Sequence, residues 1–440
     1  MLISGLLPVV NGLGAVRSRA AYCRRVADTN PAPEAPRAAR HASWLELFFD
    51  LVAVAGVGQL AHLLHGAPHW HDVGLYVVLF LAFWSAWTCT TLYGNVAAET
   101  VRVVTVLMCM FGLTVMAAAV HGVQEGEHAR AFAVGYVFVR LMGSKVLESR
   151  RQALVDWPVA QIGVGVVPWT VSIWVAEPAR YWLWAVGVTV DLALTFLVSG
   201  RRLKEQMDAH LRHEDGRRLH QPPGRRTRTG SGSGTGSDTG TGTGTGAVEI
   251  VRTDAEHLAE RLGLFVLIVL GEAVYQLVEV GSDTEWNRGL FAGAAPAFVV
   301  VVLLWWLSLQ RGFGGVPLAL PGTLTPRALM GLHCLVAGSL AAFAAGLGSA
   351  LGHAGGRLPA QTAWIAACAL GACLCVATAL GTLTRPVARP RLLLAAAPAL
   401  AVCVAVGATG ETGRPVLTVW LLVSAVAWFT WLTTPPRGHR

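Results

Sequence analysis

Residues 44–66 read WLELFFDLVAVAGVGQLAHLLHG. The stretch is long and apolar enough to cross a bilayer, for which about 20 residues are needed, yet it carries Glu46 and Asp50 one helical turn apart near its start. Two acids in such a segment need a physical reason. Similar apolar blocks recur along most of the chain, which is 54% hydrophobic and only 14% charged, with a mean hydropathy of +0.52. A soluble globular chain carries roughly 25% charged residues. Composition therefore places the chain in a membrane, with the lipid bilayer as its first partner, and its 440 residues count helices rather than soluble domains.

Twelve apolar blocks begin near residues 44, 72, 101, 129, 154, 180, 257, 287, 328, 360, 390 and 415. The predicted fold is an all-α polytopic membrane protein of about twelve transmembrane helices, and an even number puts both termini on one side. With that side cytoplasmic, the interior connections hold nine arginines (Arg150, Arg151, Arg201, Arg202, Arg311, Arg327, Arg385, Arg389 and Arg391) and the exterior ones five (Arg130, Arg180, Arg288, Arg357 and Arg414). The bias follows the positive-inside rule and predicts a cell-membrane protein with both ends in the cytoplasm. The net charge of +8 then reports orientation; a nucleic-acid groove would interleave aromatics with its basic residues.

Residues 200–250 pass from RRLKEQMDAHLRHEDGRR into GSGSGTGSDTGTGTGTG, a composition that cannot bury a core and reads as a flexible cytoplasmic linker. The expected organisation is a basic arm over 1–43, a six-helix half over 44–199, the linker over 200–250, a second six-helix half over 251–434 and a cytoplasmic tail over 435–440. Parallel repeats of this kind are one transporter plan. Weak internal similarity agrees: ELFFDLVAVAGVGQ opens helix 1 and ERLGLFVLIVLGE opens helix 7, and both runs reach an amide or acid about three turns on, Gln59 and Glu272.

WLELFFDLVAV in the first helix, HLAERLGLFVLIVLGEAV in the seventh and the pair Trp305–Trp306 in the eighth resemble the bacterial low temperature requirement protein A family. The resemblance runs from about residue 41 to the C-terminus. It implies that Trp44, Glu46, Phe48, Phe49 and Asp50 form the family's first motif, and His257, Glu260, Arg261, Gly263, Phe265, Gly271 and Glu272 its second. It implies location and fold, and it supplies no reaction.

A charge at the centre of a membrane helix costs roughly 2.5 to 3.5 kcal/mol even on the lenient insertion scale, so depth ranks the charged residues. At about 1.5 Å per residue, Arg140 in helix 4 and Asp191 in helix 6 both lie about 16 Å from the outer face and are expected to meet at the midplane. By the same rise Asp50 is about 9 Å and Lys145 about 6 Å from the inner face, with Glu46, Glu260 and Arg261 shallower. Glu46 and Asp50, at i and i+4, share a helix face where Lys145 and Arg261 can neutralise them. Two readings stay open for this cluster: a lock between helices 1, 4 and 7, or a cytoplasmic gate. Glu272 lies about 22 Å along helix 7 with no cation expected at its depth, so it should carry a proton or bind a cation. Arg261, Glu272 and Glu279 share one helix face, with His257 and Tyr275 at its edge, a polar stripe expected to face a bundle interior or a water-filled path.

Histidines collect near the outer helix ends, at His62, His65, His69 and His71 and again at His121, His128 and His353. Imidazoles there could sense pH or hold a divalent metal, but the spacing matches no defined zinc signature, and no metal or other cofactor is expected. Seven of the eight cysteines lie in apolar segments without paired ligand spacing. No Walker loop, H-E-x-x-H or G-x-S-x-G motif occurs, so an enzyme is not expected. The expected function is a secondary transporter or an ion or proton pathway for a small solute or cation, through Glu272, Glu46, Asp50, Arg140, Asp191, Lys145, Glu260, Arg261 and Gln59. The alternative is a non-transporting membrane protein that supports cold tolerance or envelope assembly.

Overall fold

The computed structural model describes residues 43–96, 103–149, 152–154, 163–197, 249–251, 255–312, 324–384, 387–410 and 413–434. The basic arm up to residue 42, the linker up to residue 248 and the tail from residue 435 lie outside the described residues. Among the described residues, twelve α-helices follow in order: α1 (Trp44–His62), α2 (Trp70–Val96), α3 (Val103–Ala119), α4 (Ala129–Ser149), α5 (Val166–Ser172), α6 (Ala179–Leu197), α7 (Ala255–Asp283), α8 (Arg288–Trp305), α9 (Pro326–Gly352), α10 (Ala360–Thr384), α11 (Arg389–Thr409) and α12 (Pro415–Thr433). By length and composition nine of these can cross a membrane, namely α1 to α3 and α7 to α12. Helices α4 and α6 have comparable lengths of 21 and 19 residues but carry Arg140 and Asp191, which lower their apolar character.

One expectation needs correction. The fifth helix was placed from residue 154, but helical structure begins at Val166 and α5 is seven residues long. The block LVDWPVAQIGVGVVPWTVSIW over 154–174 is apolar enough to be counted as a span, yet residues 163–165, with Gly163 and Gly165, are not helical. Pro168 falls in the first turn of α5, where its missing N–H costs no intrahelical bond. Beside the helices, β1 (Gln152–Leu154) pairs in parallel with β2 (Glu249–Val251), setting the end of α4 beside the start of α7.

Helix starts follow from caps. Ser43 and Glu46 form a capping box: Ser43 Oγ accepts from the Glu46 amide at 3.3 Å, and Glu46 Oε2 accepts from the Ser43 amide at 2.8 Å, satisfying two N–H groups that a helix start leaves without partners. Asn287 caps α8, accepting from the Leu290 amide at 2.9 Å, and Thr325 with Pro326 opens α9.

Cross-contacts show how the helices alternate. On one face, His257 at the start of α7 meets Glu46 at the start of α1, Arg327 at the start of α9 donates to the Thr195 carbonyl near the end of α6 at 2.9 Å, and Arg391 reaches the Thr434 carbonyl. On the opposite face, the loop after α1 is pinned to the end of α9 and the start of α10, the Gly66 amide donating to Ser349 Oγ and Thr362 Oγ1 to the Gly66 carbonyl. Successive helices therefore run in opposite senses, while α1 and α7 run the same way side by side. Helix α9 is the central element, buried along most of its length and packed against α1, α2, α7, α8, α10 and α12.

Candidate functional site

The shared seam of α1 and α7 carries polar groups at both ends. At the capped end, Asp50 and Glu46 face α7 across the core, with Asp50 0% and Arg261 1% exposed. Arg261 bonds Asp50 Oδ1 through Nη2 and donates from Nε to Oδ2 at 3.2 Å, a forked geometry in which guanidinium and carboxylate satisfy each other. Its Nη1 lies 3.7 Å from Glu46 Oε1, and His257 Nε2 lies 3.5 Å from Glu46 Oε2. Trp87 of α2 donates from Nε1 to Asp50 Oδ1 at 2.7 Å. The two acids of the opening stretch thus have different reasons. Glu46 closes a helix cap and meets α7, and Asp50 is the core counter-charge of Arg261.

Beneath this cluster lies His333 of α9, fully buried. Its Nδ1 accepts from Trp84 Nε1 at 3.3 Å and its Nε2 donates to the Leu262 carbonyl at 3.2 Å. Both ring nitrogens are engaged, which assigns a single neutral tautomer. Its ring stacks on Trp87 at 5.8 Å, so α9 supports the residue that holds Asp50. Composition marks α9 as scaffold, and a lone histidine in an apolar run was the only signal of this role.

At the other end, Gly58 of α1 meets Glu272 of α7: a Cβ on Gly58 would stand 2.7 Å from the Glu272 carboxyl carbon, so the absent side chain makes room for the acid. Glu272 hydrogen-bonds with Gln276 one turn on. His65 Nε2 donates to Gln276 Oε1 at 3.3 Å, and the Nδ1 atoms of His62 and His65 are 3.1 Å apart, a run that fits neutral His65 accepting from His62. His65 and His62 are thus polar neighbours of this end of the seam. Depth counted along straight helices misses His65, which reaches back from the loop after α1. Burial, then the neighbouring His62, push the His65 imidazole below its ordinary value of 6.5.

The third group pairs Arg140 with Asp191. Arg140 Nη2 lies 3.2 Å from Asp191 Oδ2, and both side chains are almost wholly buried. Tyr136 donates to Asp191 Oδ2 at 3.1 Å, and Arg140 Nη1 donates to Ser85 Oγ at 3.0 Å and Cys89 Sγ at 3.1 Å. Gly165, just before α5, packs against Asp191 so closely that a Cβ there would fall 2.0 Å from Oδ1. The pair stands apart from the α1–α7 seam.

Other expected site residues are not gathered there. Gln59 is exposed on α1, turned away from the seam that buries Gly58, because adjacent helical positions are 100° apart. Tyr275 is 56% exposed, so the polar stripe of α7 is narrower than the helical wheel suggests. Glu260 is half-buried beside Arg261 in sequence. Lys145 lies on α4, and its side chain, with its expected role beside Asp50, is outside the described residues. Sequence reasoning missed Trp87, His333 and His65 and underrated His257.

A bundle of long apolar helices with buried charges held between them defines an integral, polytopic α-helical membrane protein. The family description of the bacterial low temperature requirement A protein (LtrA) matches residues 41–429, and the chain belongs to that family. No curated protein matches it.

Proposed function

We propose that this protein is a secondary transporter or an ion or proton pathway whose working seam lies between α1 and α7. One observation carries the reading: the same two parallel helices hold Glu46, Asp50, Arg261 and His257 at one end and Glu272, Gln276, His65 and His62 at the other. Arg261 and Glu272 are separated by eleven residues, about 16 Å along a helix. Val54, Val57, Leu262, Val266 and Val269 fill that interval with buried apolar surface. A seam closed in the middle and polar at both ends suits alternating exposure of Glu272 and the Asp50 cluster to opposite sides. Intramembrane acids on such a seam are costly unless they serve a pathway or a lock.

The reading includes two helical halves joined by the linker, with the α1-start face and both termini cytoplasmic, and no enzymatic reaction. The transported partner is a small solute or cation. A second reading has a specific observation behind it: Asp50 has donors from both Arg261 and Trp87, as expected of a static lock in a non-transporting protein of cold tolerance or envelope assembly. The two separate on Glu272→Gln. The variant should insert normally and fail to support growth at low temperature, whereas a lock tolerates Gln, which still hydrogen-bonds. Full support of growth by Glu272→Gln would remove the pathway.

A further inference from the structure

On the face where α1 ends and α2 begins, the stretch HGAPHWHD over 65–72, a loop and the first turn of α2, brings two imidazoles and a carboxylate together. The ligand atoms of His69, His71 and Asp72 all lie within 4.8 Å of one another. His71 Nε2 is 3.0 Å from Asp72 Oδ1, and His69 Nδ1 is 3.7 Å from Asp72 Oδ2. We propose that these three residues bind a divalent late first-row transition cation, with zinc as the best fit.

The donor set fixes the chemical class. Two imidazole nitrogens and one carboxylate suit zinc and its neighbours, whereas calcium takes six to eight oxygens and magnesium keeps an octahedral oxygen shell. Zinc holds such ligands at about 2.0 to 2.2 Å, which sets neighbouring donor atoms about 3.4 Å apart in a tetrahedron. The His71–Asp72 and His69–Asp72 separations, to different oxygens of the carboxylate, lie near that value. The two imidazoles stack at 5.6 Å with 27° between planes, and their side chains are 75% and 80% exposed, so rotation closes the triangle and leaves a fourth position to water.

The carboxylate is preorganised. Asp72 is buried, accepts the His69 amide at Oδ2 at 2.8 Å, and accepts Gln124 Nε2 at Oδ1 at 2.8 Å. Gln124 thereby holds the acid from a second loop, as outer-shell partners orient metal-binding groups. The loop itself turns at Gly66, whose φ of 73° favours glycine. The structural role of Asp72, closing the first turn of α2, uses one lone pair of each oxygen and leaves others for a cation. The site lies at the surface and is independent of any transport through α1 and α7.

The test uses full-length protein in detergent, with any polyhistidine tag removed, titrated with Zn²⁺ against a chromophoric chelator and with Co²⁺ followed by its visible absorption. His62, His65, His121, His128 and His353 occur on the chain as well, so the difference between wild type and His71→Ala isolates this site. Wild type should bind one ion more tightly than the rest, with intense tetrahedral Co²⁺ bands, and His71→Ala or His69→Ala should weaken that ion at least tenfold. Zn²⁺ should raise the melting temperature of wild type but not of the variants, which without metal should melt like wild type because both side chains are exposed. Unchanged zinc stoichiometry and affinity in the double variant His69→Ala/His71→Ala would overturn the site, as would wild type that binds no ion more tightly than its scattered histidines do.

Discussion

Asp191 and Arg140 are each buried almost completely, so neither can lose its partner without leaving a charge in low dielectric. Breaking such a pair costs about 3 to 5 kcal/mol, while replacing both members with apolar groups is often close to neutral. Arg140→Leu and Asp191→Leu should therefore each lower the melting temperature more than the double variant does; simple additivity would show that the contact contributes nothing. His65 provides a pH-dependent counterpart. Its folded-state value is depressed by burial and by His62, so its contribution to stability is complete above the ordinary value of 6.5 and is lost as pH falls toward the lower folded value. Facing it are His62, Gln276 and, further along α7, Glu279. A His65→Gln protein should lose less stability than wild type between neutral and mildly acidic pH in thermal melts, and equal losses would place the titrating group elsewhere.

Helix α1 carries two buried glycines on different faces, Gly56 against α2 and Gly58 against α7, and they make different demands. A Cβ on Gly56 would meet the Phe83 ring at 2.1 Å, an aromatic locked in the core. Gly56→Ala should thus cost about 1 to 3 kcal/mol by overpacking, read as a drop in melting temperature. A Cβ on Gly58 would meet the mobile end of Glu272 instead, so Gly58→Ala should shift the carboxylate, leaving stability nearly unchanged while impairing low-temperature growth. Equal melting for both variants would contradict these contacts. Such contacts lay beyond the sequence, in which helix existence was legible from the lengths of apolar runs. Helix α5 was the exception: hydropathy counts residues without weighing Gly163, Gly165 and Pro168, so a broken segment scored as a whole one. The meeting of Asp50 with Arg261 could be anticipated because both sit a few turns from helix starts on one face. Their bonds to Trp87, and the support of Trp87 by His333, depend on the azimuth of α2 and α9, which no linear pattern encodes.

For the whole molecule, the alternation of helix ends places the α1-start and α7-start on one face, and the proposed orientation, which rests on the arginine excess, makes that face cytoplasmic. A reporter fused within residues 205–245 should be cytoplasmic and one inserted near Ser282 exterior; the reverse pattern would invert the depth of every charge discussed. Deleting residues 229–246 should leave insertion intact, because a Gly/Thr-rich tract only has to span a gap. At this scale the sequence carried the class and the family, since both rest on composition and short motifs. The neighbours of Glu272 escaped it because one of them, His65, lies beyond the end of its helix and folds back. The central claim, that the α1–α7 seam conducts, is tested most directly by proton or cation flux into proteoliposomes of purified protein, comparing wild type with Glu272→Gln at equal incorporation. Wild type should carry flux above protein-free liposomes, and Glu272→Gln should lose at least tenfold while melting and inserting normally. Flux retained in Glu272→Gln, or wild-type liposomes no leakier than empty ones across protons and common cations, would contradict the account.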